Sequence, residues 1–258
     1  MKIMRKILIF GTFVFFLSSC KKEKAIESYN TSILSEYIKS ESKQFALTHQ
    51  LIACAASTEL ADPEQATFPI SVFYYPVIGA FDIKYFEINS AGNNQNNYEN
   101  YIFKDLQKFP VFNGYLGRFK CNVPQDTWCI VTYKTTGKLH ICNPIKIKHL
   151  SQPTLFSPQV ITVQDNGVQP QFTWGDSTSI NNAIYFQVVS DEAGNLISGT
   201  YTYDKYWNFY DLSNVVLNIR DVNPIPTLAS STNYNFTLMG VSVDNWVNLA
   251  GGRSFVTQ

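Results

Sequence analysis

From about residue 50 onward the chain consists of short runs of branched and aromatic residues separated by Pro, Gly, Asn and Asp, with no helical stretch between them. Residues 51–56, 70–75, 81–86, 114–119 and 127–133 each have the length and composition of a strand. The Asn-rich stretch 89–97 reads as a loop. The run 127–133, the turn residues Thr136-Gly137 and the run 138–148 together predict a hairpin. Strands at this spacing, with no helices between them, predict a mainly β chain built from antiparallel sandwiches.

Ahead of the strands, residues 30–48 carry Ile33, Leu34, Tyr37 and Ile38 at helical spacing, with Asn30 or Thr31 to cap them. Phe45 and Leu47 extend the apolar side, so a short N-terminal helix is predicted over 30–48. The segment His149-Leu150-Ser151-Gln152-Pro153 breaks the β pattern and divides the rest into 49–148 and 152–258.

The second of these regions carries Trp174 at the end of one run and Tyr185 in the next. Further on, Leu228, Thr232 and Tyr234 form a Leu-x-x-x-Thr-x-Tyr pattern leading into Phe236-Thr237-Leu238. In order and spacing this resembles a fibronectin type III domain, although Ser230 stands where that family usually has a loop proline. The resemblance implies a seven-stranded sandwich over 152–258, with Tyr234 forming a tyrosine corner and 253–257 the last strand. Residues 49–148 fit the same outline through Tyr85 and the run 128–133. The expected architecture is therefore two tandem antiparallel β-sandwiches, fibronectin type III- or immunoglobulin-like, behind one short helix.

The first twenty residues follow different rules. Lys2, Arg5 and Lys6 precede an apolar run of eleven residues, 7–17, and then Ser18-Ser19-Cys20. This is the layout of an export signal, residues 1–19, and the apolar run is well short of the roughly 20 residues a spanning helix needs. Leu17-Ser18-Ser19-Cys20 resembles the lipobox of bacterial lipoproteins, which implies a thioether-linked lipid on Cys20 and a mature chain beginning there. Several acyl chains hold a protein on a bilayer without a spanning helix. The charged tether 20–29, with Lys21-Lys22-Glu23-Lys24, resembles the surface-export signals of Bacteroidota lipoproteins. The membrane is thus an expected partner through Cys20. The expected location is the cell envelope at the outer membrane, with either face open.

Removing residues 1–19 takes away three cations and no acid, leaving 17 Lys and Arg against 20 Asp and Glu, a net charge of −3. No basic field for nucleic acid remains. Four cysteines follow Cys20, all before residue 150. In an exported chain they admit disulfides, and the hairpin suggests Cys129–Cys142 with Cys54–Cys121 as the remainder. Buried free thiols weigh equally.

Groups suited to catalysis are few. His49, His140 and His149 stand apart from any second ligand at metal spacing and read as solvated. Asp191-Glu192 precedes Ala193-Gly194-Asn195 and reads as turn chemistry. No catalytic residue, metal or cofactor is nominated, and a non-enzymatic binding or interaction protein is expected. Its partner, an unknown protein or a glycan, would meet aromatic side chains. Residues 201–210 hold six of them, with Tyr206 and Trp207 as stacking candidates, though the pattern favours core filling. Trp246, near the loop between the last two strands, reads equally as a recognition residue or as a cover for the core.

Overall fold

The computed structural model of the protein describes residues 28–58, 67–89, 94–164, 167–176, 181–220 and 226–258; the signal segment and Cys20 lie outside these. Helix α1 (Leu34–Glu41) is followed by β1 (Ala46–Leu51), β2 (Ala53–Ser57), β3 (Ile70–Tyr74), β4 (Phe81–Ile88) and β5 (Tyr101–Lys104). Next come β6 (Lys108–Val111), β7 (Leu116–Cys121), β8 (Thr127–Thr135), β9 (Lys138–Cys142) and β10 (Ile145–Ile147). One sheet runs β1-β9-β8-β4-β5, with β10 also on β8, and a second runs β2-β3-β7-β6. Together they form the first sandwich. Both β9 and β10 pair with β8, and Pro144 between them has no N–H to continue the ladder.

Alternation along β4 explains how its sheet is covered on both sides. Tyr85 points into the sandwich and meets Phe119, with ring centroids 5.6 Å apart. Its neighbour Phe86 points the other way, where Tyr37 of α1 lies at 5.5 Å and Phe103 at 5.8 Å. Opposite Tyr74, Gly117 leaves room for the tyrosine ring, which a Cβ at 117 would penetrate. Lys134 ties the helix down, reaching Glu41 at 2.7 Å and Asp82 at 2.9 Å beneath the Tyr37 ring.

The helix is shorter than the sequence predicts. It ends at Glu41, and Phe45 and Leu47 do not extend it. Residues 46–51 instead form β1, which pairs in parallel with β9 from Ala46↔Lys138, while the Ala46 N–H donates to the Gly137 carbonyl at 2.8 Å. The open edge of β9 offers a row of backbone partners, and this outweighs another helical turn through Thr48 and His49.

The second sandwich comprises β11 (Leu155–Phe156), β12 (Ile161–Gln164), β13 (Gln171–Trp174), β14 (Ile184–Asp191) and β15 (Leu196–Thr202). It continues with β16 (Tyr206–Asn208), β17 (Val215–Asn218), β18 (Asn233–Val241) and β19 (Val247–Val256). Its sheets run β11-β19-β18-β14-β15-β17 and β12-β13-β16. Trp174 packs on Tyr185 at 5.5 Å and Phe236 at 6.1 Å, and the Ala229 N–H donates to the Tyr234 hydroxyl at 3.0 Å. That bond is a tyrosine corner, fixing the approach to β18. The last strand begins six residues before the predicted 253, and β11 and β17 add edges to the larger sheet.

The two sandwiches are stacked face to face. The outer side of β2-β3-β7-β6 presents Cys54, Phe73, Tyr75 and Leu116. Against it lie Ile184, Phe186, Val188, Met239 and Val241 from the larger sheet of the second sandwich. The layers run α1, first sheet, second sheet, third sheet and finally the three-stranded sheet. The turn between β18 and β19 crosses the boundary. Its Trp246 is 0% exposed within the first sandwich's core, and its indole N–H donates to the Gln152 carbonyl at 2.8 Å. The Asn245 carbonyl accepts from the Ala55 N–H at 3.0 Å and the Asp244 carbonyl from the Lys146 N–H at 2.9 Å. At the junction itself, Thr154 Oγ accepts from the Ser57 N–H at 2.8 Å and donates to the Val247 carbonyl at 2.8 Å.

With this much apolar surface shared, the two sandwiches are expected to unfold in one cooperative transition in urea. Trp246→Ala should cost about 3–5 kcal/mol through the cavity it leaves. Tyr234→Phe should cost about 1–3 kcal/mol by stranding the Ala229 N–H. Two separate transitions in the wild-type protein would contradict the coupling.

Candidate functional site

Among the described residues, the last layer of the stack presents a sheet face that neither α1 nor the other sandwich covers. Its three strands alternate strictly. Ile161, Val163, Phe172, Trp174 and Trp207 point inward. Across the sheet, Thr162 pairs with Thr173 and Thr173 with Tyr206, and a second row runs Gln164, Gln171, Asn208. These six outward side chains are two threonines, two glutamines, an asparagine and a tyrosine, with no charge among them.

Tyr206 is 46% exposed, and Tyr203, just before it in the turn from β15, is 67% exposed. The turn is held by the Asn214 side chain, whose N–H donates to the Tyr206 carbonyl at 2.9 Å. At the end of β13, Asp176 accepts from Tyr185 at 2.7 Å and from Asn182 at 2.8 Å, and pairs with Lys205 at 2.7 Å. Burial opposes its ionisation, but the Lys205 and Tyr185 hydrogen bonds outweigh burial and hold its pKa below the usual carboxylate range. Asp176 and Lys205, at one end of the face, are therefore paired with each other.

Of the sequence candidates, only Tyr206 stands on this face. Trp207 is 0% exposed, stacked on Phe172 at 5.9 Å, with its indole N–H donating to the Asp211 carbonyl at 3.0 Å. Trp246 is the interdomain plug described above. Neither can stack on a ligand, because strand alternation turns Trp207 inward and the β18–β19 turn is clamped to the first sandwich. Tyr203 belongs to the same aromatic run, and the Gln and Asn row carries no sequence signal, because amides are common on any exposed strand.

Of the two readings of the cysteines, disulfides or buried free thiols, the described residues show the second. All four described cysteines are free thiols. Cys54 is opposite Phe73 on β3 and Cys121 is opposite Ile70, an odd offset that places them on opposite faces of one sheet. On β8, Cys129 is opposite Ile145, whereas Thr132 is opposite Ile141, so Cys142 faces Val131, whose N–H donates to its sulfur at 3.1 Å. A diagonal pair across a ladder stands about 7–8 Å apart at Cα, beyond usual disulfide reach. Burial pushes the Cys54, Cys121 and Cys142 thiols up to about 12 and Cys129 well above its ordinary range.

His140 is buried rather than solvated, stacked on Tyr133 at 4.7 Å and bonded through Nε2 to Thr135 at 2.9 Å. His149 lies half-buried with Nδ1 3.6 Å from Asp126. Asp191 accepts from the Asn195 N–H and side-chain amide, each at 2.7 Å, closing the β14–β15 turn. Among the described residues, no group of three or more His, Cys, Asp and Glu side chains is placed to hold a metal ion. Among them, too, no helix is long and apolar enough to cross a membrane.

Strand order, register and the corner tyrosine define the class: a mainly β protein of paired fibronectin type III/immunoglobulin-like sandwiches. The chain matches no family model and no curated protein. Among solved structures it is similar to a two-domain fibronectin type III segment of chicken tenascin, at 11% identity over 73% of this chain and 91% of that one, with a TM-score of 0.29. It is also similar to Tp47, the 47-kilodalton lipoprotein of Treponema pallidum, at 8% identity over 81% and 51% of the two chains, with a TM-score of 0.31. A third likeness is to the receptor tyrosine kinase Torso, at 8% identity over 90% and 93%, with a TM-score of 0.28. At these values the assignment of class rests on the topology.

Two measurements check the placement of these side chains. Trp207→Ala should destabilise the protein by about 3–5 kcal/mol, and Tyr206→Ala should stay within about 0.5 kcal/mol. Burial, then the Lys138 charge, holds the His140 pKa below its usual value, and burial lowers that of His149 against the pull of Asp126. The unfolded chain therefore binds more protons near pH 6 than the folded one. Stability from these groups is complete above the ordinary histidine pKa and is lost as the pH falls below it. The urea midpoint should drop between pH 7.5 and 5.5, and His140→Phe should flatten that drop; a flat wild-type profile would contradict the burial.

Proposed function

We propose that this chain is a lipid-anchored protein of the cell envelope that binds a partner without chemically transforming it. The observation that carries the reading is where the open face sits in the stack. The first described element is α1, on the outside of the first layer, and the uncovered three-stranded face is the outside of the last. Sheets pack about 10 Å apart, so three sheet spacings and one helix separate the two by roughly 40 Å. A lipid on Cys20 places the α1 side toward the membrane and turns Tyr206, Gln171 and Asn208 away from it. The interlocked sandwiches hold that orientation without a flexible hinge. The nearest acid pair, Asp191-Glu192, is committed to a turn, and the face holds no nucleophile beside a base.

Photo-crosslinking in cells tests the orientation. A crosslinker at Gln171 or Tyr206 should capture an envelope partner, whereas one at Lys39, exposed on α1 itself, should not. Equal capture from both positions would overturn the reading. Mass spectrometry of the native N-terminus should find a lipid-modified Cys20, and Cys20→Ala should release the protein from membranes.

The glycan reading draws support from the same face. An uncharged surface of glutamine amides and threonine hydroxyls, which both donate and accept, with exposed tyrosine rings beside them, suits neutral sugars. Titration of the mature protein against neutral polysaccharides should then show binding that Tyr206→Ala weakens about tenfold or more, in line with the loss of an aromatic anchor. Absence of wild-type binding to every one of them excludes sugars as the partner.

A further inference from the structure

The packing between the two sandwiches is incomplete. A cavity of about 230 Å3 remains between them, walled by Cys54, Phe73 and Leu116 on one side and by Phe186, Tyr201 and Met239 on the other. None of the residues lining it carries a charge. Leu217, exposed on the edge strand β17, stands at its mouth. Cys54 and Tyr201 keep accessible surface even though protein surrounds them, because the space they face is this one.

The polar groups in the wall are few and mostly engaged. The Tyr75 hydroxyl donates to the Ile219 carbonyl at 2.9 Å, and the Asn245 side-chain N–H donates to the Pro144 carbonyl at 3.1 Å. Tyr201 is different. Its ring stacks on Phe186 at 4.5 Å, and its hydroxyl makes no hydrogen bond among the described residues, with the Cys54 thiol as its neighbour. The space opens to solvent beside Leu217, and its apolar wall offers the water inside it few partners. Dry cavities of about 150 Å3 with similar linings take up benzene. This one is half as large again.

We infer that the cavity between the sandwiches is a binding site for a small apolar molecule of bicyclic-aromatic or short-alkyl size bearing one hydroxyl or carbonyl group. The body of the ligand fills the space against Phe73, Leu116 and Met239, and its polar group pairs with the Tyr201 hydroxyl. The site is separate from the outer face on which the proposed function rests, and a ligand there would bridge the two sandwiches.

The test uses the full mature protein with 1-naphthol and naphthalene as probes, read by methyl chemical shifts and by titration. Both probes should bind, shifting the methyl signals of Ala53, Leu116, Met239 and Val241. Tyr201→Phe should weaken 1-naphthol roughly 2- to 10-fold, the net worth of one hydrogen bond, and leave naphthalene unchanged. Cys54→Phe, which fills the cavity, should abolish binding of both. Should that variant fail to fold, the Tyr201→Phe difference between the two probes decides the matter. No wild-type binding at millimolar probe, or shifts confined to other methyl groups, would overturn the inference. Equal weakening of both probes by Tyr201→Phe would overturn the assigned hydrogen bond.

Discussion

Trp246 leaves its own sandwich and is buried in the core of the other, and much of the structure depends on that exchange. A turn between two strands is ordinarily the most mobile part of an antiparallel sheet. Here its backbone is held by Ala55 and Lys146, and its aspartate reaches Lys148 at 3.1 Å. The turn therefore fixes the second sandwich to the first at one end. The apolar faces of β3, β7, β14 and β18 close the interface along the rest of its length. Linked sandwiches in which only a short linker joins the units would move independently, and interdomain motion is the usual expectation for small polar interfaces. This interface is apolar and hydrogen-bonded at its margin, so the pair behaves as one body.

That coupling determines which surfaces remain for function. Each sandwich has two outer faces. The first loses one to α1 and one to its partner, and the second loses one to the first. The three-stranded face is what remains, and its polar, uncharged rows are the composition expected of a strand face open to water. The residues that make the fold rigid are thus distinct from those that meet the solvent. A change at Trp246 acts on the whole body, whereas a change at Tyr206 acts on the face alone.

Much of this was legible in the sequence. The strand runs, the β8–β9 hairpin around Gly137 and the corner at Tyr234 follow from spacing, turn residues and local pattern, all short-range signals. The helix boundary was not, because the fate of residues 46–51 depends on β9, about ninety residues away in sequence. The cysteine pairing was not, because a hairpin prediction gives proximity without register, and register alone puts Val131 opposite Cys142. For the aromatic run 201–210, the favoured reading of core filling describes Trp207, Phe209 and Tyr210, whereas Tyr203 and Tyr206 face solvent.

The interface had a visible signal that strand counting passes over. A half-buried strand alternates apolar with polar, but Ile70-Ser-Val-Phe-Tyr-Tyr and Ile184-Tyr-Phe-Gln-Val-Val are apolar on both faces. In an antiparallel sandwich this is redundant unless the outer face is covered too. Both runs lie in the sheets that meet, β3 in one and β14 in the other. Phe73 and Phe186 are the surplus residues, pointing away from their own cores and toward each other's domain. Where they meet, shape complementarity is limited by two pleated surfaces that twist in the same hand, so rows of side chains cannot interdigitate everywhere. The space beside Cys54 and Tyr201 is where that mismatch collects. The interface that makes the body rigid thus also leaves, opening beside the edge strand β17, a cavity with an apolar lining.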